Sequence, residues 1–161
     1  MTRLVSLILL VCVVAGLVGC NRDPKQASAK YVTVGNRYYD QGKYKEAVLM
    51  YKRALQKYLK NGEAYYRLGL ANLKLNDAKG AVAALQRAVS LQPANADAMV
   101  KLSDIYLTAY AAISQQQNRA PREYLDEADS LIKRLEKLDA FNFRRLNGYR
   151  RLFDNDPKGA L

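Results

Sequence analysis

The feature that most constrains this chain is a period. Tyr31, Gly35, Ala47, Tyr51 and Ala54 return 34 residues later as Tyr65, Gly69, Ala81, Leu85 and Ala88. Met99, Leu102 and Ser103 follow Tyr65, Leu68 and Gly69 at the same interval. A fixed period in this range means one supersecondary unit repeated, each too small to bury its own apolar face and stacked on its neighbours so that a continuous core forms. Within the first unit, Tyr31, Val34, Gly35 and Tyr38 lie on one helical stripe, and Ala47, Val48, Tyr51, Ala54 and Leu55 on a second. Asp40-Gln41-Gly42-Lys43 between them is turn chemistry, with Gly42 suited to the left-handed conformation that ends a helix. The second unit breaks at Asn76-Asp77, where either side chain could cap the next helix. Pro93 stops that unit after Leu91-Gln92. Small residues at matched places, Gly35 with Ala47 and Gly69 with Ala81, predict an antiparallel helix pair at close approach.

The matched positions resemble the tetratricopeptide repeat (TPR), over residues 28–161. The resemblance implies an all-α helix-turn-helix solenoid of about three repeats plus an incomplete fourth, at residues 28–61, 62–95, 96–142 with an insertion, and 143–161. The match is strongest from Ala64-Tyr65-Tyr66-Arg67-Leu68-Gly69-Leu70-Ala71 through Pro93. Leu59 stands where the family usually has proline, so the second helix of the first unit is expected to run on towards Asn61. The position of Ala81 is next filled by Ala128, 47 residues on, which places extra residues within 108–127. A first helix lengthened through Ile113 and followed by a loop is the simplest account of them. Asn155-Asp156-Pro157-Lys158-Gly159-Ala160-Leu161 nearly repeats Asn76-Asp77-Ala78-Lys79-Gly80-Ala81-Val82, which opens a second helix. The expectation is therefore a fragment of a longer repeat protein, its last first-helix carrying Leu146, Tyr149, Leu152 and Phe153 without a partner; the alternative is a genuine end with that helix as a cap.

At the N-terminus Arg3 precedes an apolar run over residues 4–18, too short to span a bilayer as a helix. Leu17-Val18-Gly19-Cys20 resembles the bacterial lipobox at all four positions. That resemblance implies a signal peptide over residues 1–19, lipid transfer to the Cys20 thiol, cleavage before Cys20 and acylation of the new amine. A secretory leader with a chance cysteine and a short membrane anchor are the alternatives. Residues 20–27, with Pro24 and Gln26, then read as a polar lipidated tether. Asn21 rather than Asp after the cysteine favours the outer membrane, facing the periplasm. Cys12 leaves with the leader and Cys20 is consumed by lipid, so the mature chain has no thiol for an intrachain disulfide.

The composition argues against catalysis. There is no histidine, which removes imidazole acid–base chemistry and His-based triads and metal motifs. The glycines are spaced by the repeat rather than clustered as a phosphate loop, and pairs such as Asp126/Glu127 read as solvated helix-end residues. No cofactor, metal or catalytic residue is implied.

Binding remains. In TPR proteins the first helices line a groove for an extended peptide or a partner helix. The resemblance carries that role to Val32, Asn36 and Tyr39, to Tyr66, Arg67, Leu70 and Lys74, and to Asp97, Val100, Lys101 and Asp104. Each is weighed against a plain surface or packing role. The clamp that TPR chaperone receptors use on a terminal carboxylate falls on Val32, Asn36, Arg67, Asp97 and Lys101, where only Asn36 and, conservatively, Lys101 match, so a chaperone-tail receptor is disfavoured.

Net charge is +11, or +10 once Arg3 leaves with the leader. The excess collects on the second helix of the first unit, at Lys45, Lys52, Arg53 and Lys57 with Lys43 and Lys60, and again at Arg144, Arg145, Arg150 and Arg151. For an exported lipoprotein this points away from nucleic acid and towards anionic phospholipid, cell wall or acidic exopolysaccharide, beside the plain reading of a solvated basic face. Two functions follow. The first is an envelope-anchored scaffold lipoprotein that binds an envelope protein or peptide segment through its groove, supporting an assembly, export or pilus-type complex. The second is a wall- or exopolysaccharide-binding module that uses the basic face.

Overall fold

The computed structural model describes residues 23–117 and 120–154. The leader, Cys20 and the Asn155–Leu161 heptad lie outside the described residues. Seven helices are described: α1 (Pro24–Asp40), α2 (Tyr44–Lys57), α3 (Gly62–Lys74), α4 (Ala78–Leu91), α5 (Ala96–Gln117), α6 (Glu123–Leu135) and α7 (Ala140–Arg151). Each packs mainly on its sequence neighbours, and first helix also meets first helix where α1 touches α3 and where α5 touches α7. Among the described residues there is no strand, and no helix long and apolar enough to cross a membrane. The architecture is the helical solenoid that the period implies.

Every first helix begins on a carboxylate or amide cap. Asp23 accepts from the Lys25 N–H at 2.9 Å, Asn61 from Ala64 at 3.0 Å, Asn95 from Ala98 at 2.9 Å and Asp139 from Asn142 at 3.0 Å. These bonds satisfy N–H groups that the first helical turn leaves unpaired. At the second break, Asp77 is the cap, accepting from Gly80 at 2.8 Å, while Asn76 takes the left-handed conformation at φ 58°. Gly42 does the same at φ 74°. The cap on Asp139 starts α7 at Ala140, three residues ahead of the 143 start read from the repeat phase. The thirteen residues inserted before Ala128 are offset by a second helix that ends one turn early, at Leu135.

Two further differences have local causes. The second helix of the first unit does not run on towards Asn61; it stops at Lys57, with Tyr58 extended at φ −148° and ψ 97°. Proline is not needed there, because Asn61 caps α3 and its amide Nδ2 donates to the buried Ser28 hydroxyl at 2.8 Å, tying the turn to α1. The insertion is mostly helix: α5 continues four residues beyond Ile113, to Gln117. Tyr110 and Tyr106, one and two turns before Ile113, are buried and hold this part of the helix against the core.

Small residues set the seam as expected. Ala47 and Ala81 are fully buried, and a Cβ on Gly35 would stand 2.5 Å from the Tyr51 ring, one on Gly69 2.7 Å from Leu85. Two core clusters result, one centred on Ala47, Tyr51, Ala54 and Leu68, the other on Leu85, Met99, Leu107 and Leu135, with Tyr65 packed against both. The last helix belongs to that core. Leu146, expected to lack a partner, is 0% exposed, and the Phe153 ring meets Tyr110 edge-on at 5.2 Å. Tyr149 and Leu152 do remain exposed.

Candidate binding groove

Asn36 and Tyr39 stand on α1, Tyr66, Arg67, Leu70 and Lys74 on α3, and Lys101 and Asp104 on α5. Helical spacing puts Asn36 one turn before Tyr39, and Tyr66, Leu70 and Lys74 in one row. Asn36 is held from beneath: its Oδ1 accepts the Tyr51 hydroxyl at 2.8 Å. Tyr51 comes from α2, and burial pushes its hydroxyl up to about 12, with Arg67 pulling the other way and Tyr39 adding to the rise. The hydroxyl therefore stays protonated and donating, which engages the Asn36 carbonyl oxygen and leaves its amide N–H groups unused by that bond. Tyr39 packs edge-on against Tyr44 at 5.2 Å between ring centroids.

On α3, the Arg67 Nε lies 2.6 Å from Glu63 Oε1 and its guanidinium 5.7 Å from the centre of the Tyr66 ring. The hydrogen bond to Glu63 raises the Arg67 pKa. Burial raises that of Tyr66, and the charge of Asp97 raises it further. Asn36 with Tyr51 beneath it, and Tyr66 with Arg67 and Glu63, thus form two bonded sets on adjacent first helices, near enough that Arg67 and Tyr39 both act on the Tyr51 and Tyr66 hydroxyls. Sequence reasoning missed both Tyr51 and Glu63 as members. The Glu63-to-Arg67 spacing of four on a helix is the available signal for one of them; Tyr51 reads from the sequence only as part of an apolar stripe.

Two expected groove residues are packing residues instead. Val32 and Val100 are each 8% exposed and lie in the two core clusters. Leu70 is half-buried, Lys74 and Lys101 are exposed. Asp104 is held by Arg145 of α7, whose Nη1 and Nη2 reach its two carboxylate oxygens at 3.0 and 3.3 Å. Part of the second basic concentration is therefore neutralised: Arg145 by Asp104, and Arg150 by Asp129 and Asp154. The first concentration differs. Lys45, Lys52, Arg53 and Lys57 are exposed and have no ion-pair partner among the described residues. Among those residues, no group of three or more Cys, Asp or Glu side chains could hold a metal ion.

Residues 34–98 match the family model of the tetratricopeptide repeat. A curated relative, the peroxisomal targeting signal receptor of Yarrowia lipolytica, is 31% identical over 106 residues, which is 62% of this chain and 18% of the receptor. The chain thus spans under a fifth of that relative's length. Among solved structures, the first TPR of Spaghetti (RPAP3) bound to the HSP90 peptide SRMEEVD superposes with a TM-score of 0.62 at 22% identity, covering 81% of this chain and 96% of that one. YrrB, described as a TPR protein with an unusual peptide-binding site, gives a TM-score of 0.59 at 28% identity, covering 82% of this chain and 63% of that one. The described helices have the TPR solenoid fold.

Proposed function

We propose that this tetratricopeptide repeat protein is a lipid-anchored scaffold of the bacterial envelope that captures a peptide segment or helix of another envelope protein on its first-helix side. The observation that carries the reading is the surface of Asn36, Tyr39, Tyr66 and Arg67. It offers aromatic area, amide donors not engaged by Tyr51 and a cation already balanced by Glu63. Such a surface suits a segment with apolar or aromatic anchors and little net charge, its backbone meeting the Asn36 amide. Relatives of the same fold that hold chaperone-derived peptides support peptide capture in general. A chaperone tail is a poor fit here, because the clamp positions hold a core valine at 32 and an acid at 97. The anchor reading rests on Leu17-Val18-Gly19-Cys20, and an outer-membrane address facing the periplasm on Asn21. No catalytic step is assigned.

The experiment is a photo-crosslinker at Lys74 in intact membranes. One dominant adduct is expected, lost in the Tyr39→Ala/Tyr66→Ala double variant while the helical spectrum is retained. Truncating an aromatic anchor should weaken capture by about 2 kcal/mol or more. Charge reversal at Lys52, Arg53 and Lys57 should leave the adduct intact. Tyrosine loss without effect, together with loss of the adduct on charge reversal, overturns the groove reading. Cys20→Ser tests the anchor separately: normal processing and normal membrane retention of that variant overturn it.

A further inference from the structure

We infer that the first-unit end of the solenoid is a second binding surface, one that rests on anionic phospholipid headgroups. The distribution of charge points there first. Residues 23–61 hold nine Lys and Arg against three Asp and Glu, whereas residues 62–154 hold fourteen against eleven. The ion pairs among the described residues all lie beyond residue 61. Arg67, Arg145 and Arg150 each lie against a carboxylate. Lys30, Lys52, Arg53 and Lys57 are exposed and have no ion-pair partner among the described residues. Cations that stabilise nothing within the fold are free to meet an external anion.

The shape of this end narrows the anion to an amphiphile. A cleft of about 460 Å³ opens between α1 and α2, where exposed Lys30 and Lys57 flank half-buried Ala27, Tyr31 and Val34. Two ammonium groups beside an apolar floor match a phosphate with the start of an acyl chain beneath it. Position supplies the third argument. Pro24 lines the same cleft, so the chain that precedes it joins the fold at the cleft's lip. Pro24 is four steps along the chain from Cys20, a reach of at most about 14 Å when extended. This step rests on the N-terminal anchoring part of the proposed function. The attraction of an anionic leaflet falls off over about 8 Å at physiological salt, so only a face held this close to the bilayer feels it.

The chain has no tryptophan, so single reporters are unambiguous. Leu59→Trp marks the first-unit end and Phe141→Trp the opposite end, both on exposed side chains. The full chain is reconstituted in vesicles of phosphatidylcholine alone or mixed with phosphatidylglycerol, each carrying a headgroup quencher. Quenching of the Leu59→Trp reporter should exceed that of Phe141→Trp several-fold in the mixed vesicles. It should fall to the Phe141→Trp level in phosphatidylcholine alone, at high salt, and in a Lys30→Glu/Lys57→Glu background, where headgroup contact should weaken about tenfold or more. Equal quenching of the two reporters, or quenching at Leu59→Trp that ignores lipid charge, overturns the inference. So does quenching that soluble acidic polysaccharide abolishes while lipid charge leaves it unchanged. The mass of the N-terminal peptide reports Cys20 lipidation in the same sample, so failure of the anchor and failure of the face are read apart.

Discussion

In the first unit the helices meet over Gly35, with the Tyr51 ring so near that no side chain fits between them. In the third unit the matching position is Ser103, fully buried with a hydroxyl that has no hydrogen-bond partner, on a first helix of 22 residues rather than the 17 of α1. The surfaces contrast in the opposite sense. No first-unit cation has an ion-pair partner among the described residues, while three cations of the third unit and α7 are tied over long sequence distances: Arg145 to Asp104, Arg150 to Asp129, and the Arg134 Nη2 to the Pro93 carbonyl at 3.2 Å. One end of the stack has a glycine in its seam and unpaired cations at its surface; the other has a buried serine in its seam, a longer first helix and ties between surface groups. The same period therefore admits two solutions, and the free charge is left where the N-terminal segment joins.

The strongest way to break this comparison is Leu146→Ala. Leu146 is the only fully buried side chain of α7 among the described residues, and its truncation should cost about 2–5 kcal/mol in a denaturant titration. A loss below about 0.5 kcal/mol, within the range of an ordinary surface change, would show that α7 is not docked and that the far end is open. Next is a glycine pair. Gly35→Ala should destabilise by about 1–3 kcal/mol, because the Tyr51 ring must move. Gly148→Ala, with nothing within 4 Å of its Cβ position, should stabilise by up to about 1 kcal/mol through helix propensity. Equal effects at the two sites would erase the contrast in packing. The smallest expected effect is the Asp104–Arg145 coupling, about 0.2–1 kcal/mol in a double-mutant cycle and weaker at high salt, since both partners are partly exposed. Coupling of that size between Lys52 and any acid would mean that the first-unit cations are engaged after all.

The repeat was legible because its unit depends on local spacing: turn residues at 40–43 and 76–77, small residues at 35, 47, 69 and 81, and apolar stripes between them. Helix ends were harder. Leu59 read as a missing stop because proline is one way to end a helix, whereas the turn is held by Asn61 reaching Ser28, 33 residues away in sequence. The start of α7 escaped the phase count because a lengthened α5 and a shortened α6 partly cancel. For the groove, position alone located Asn36, Tyr39, Tyr66 and Arg67 on successive first helices, but did not separate them from Val32 and Val100. The two sets share helix faces and differ in how neighbouring helices cover them.

What the sequence determined by itself is the all-helical stack, the unit length, the place of the insertion, and the concentration of positive charge in the first unit. These follow from periodicity and composition, which act along the chain. What only the tertiary structure decided is which charges remain free. Arg67 has a local partner that spacing could have foretold, but Arg145 and Arg150 meet Asp104 and Asp129 across 41 and 21 residues. Whether a cation faces a carboxylate or solvent depends on which helix packs opposite it, and that is settled only when the stack closes.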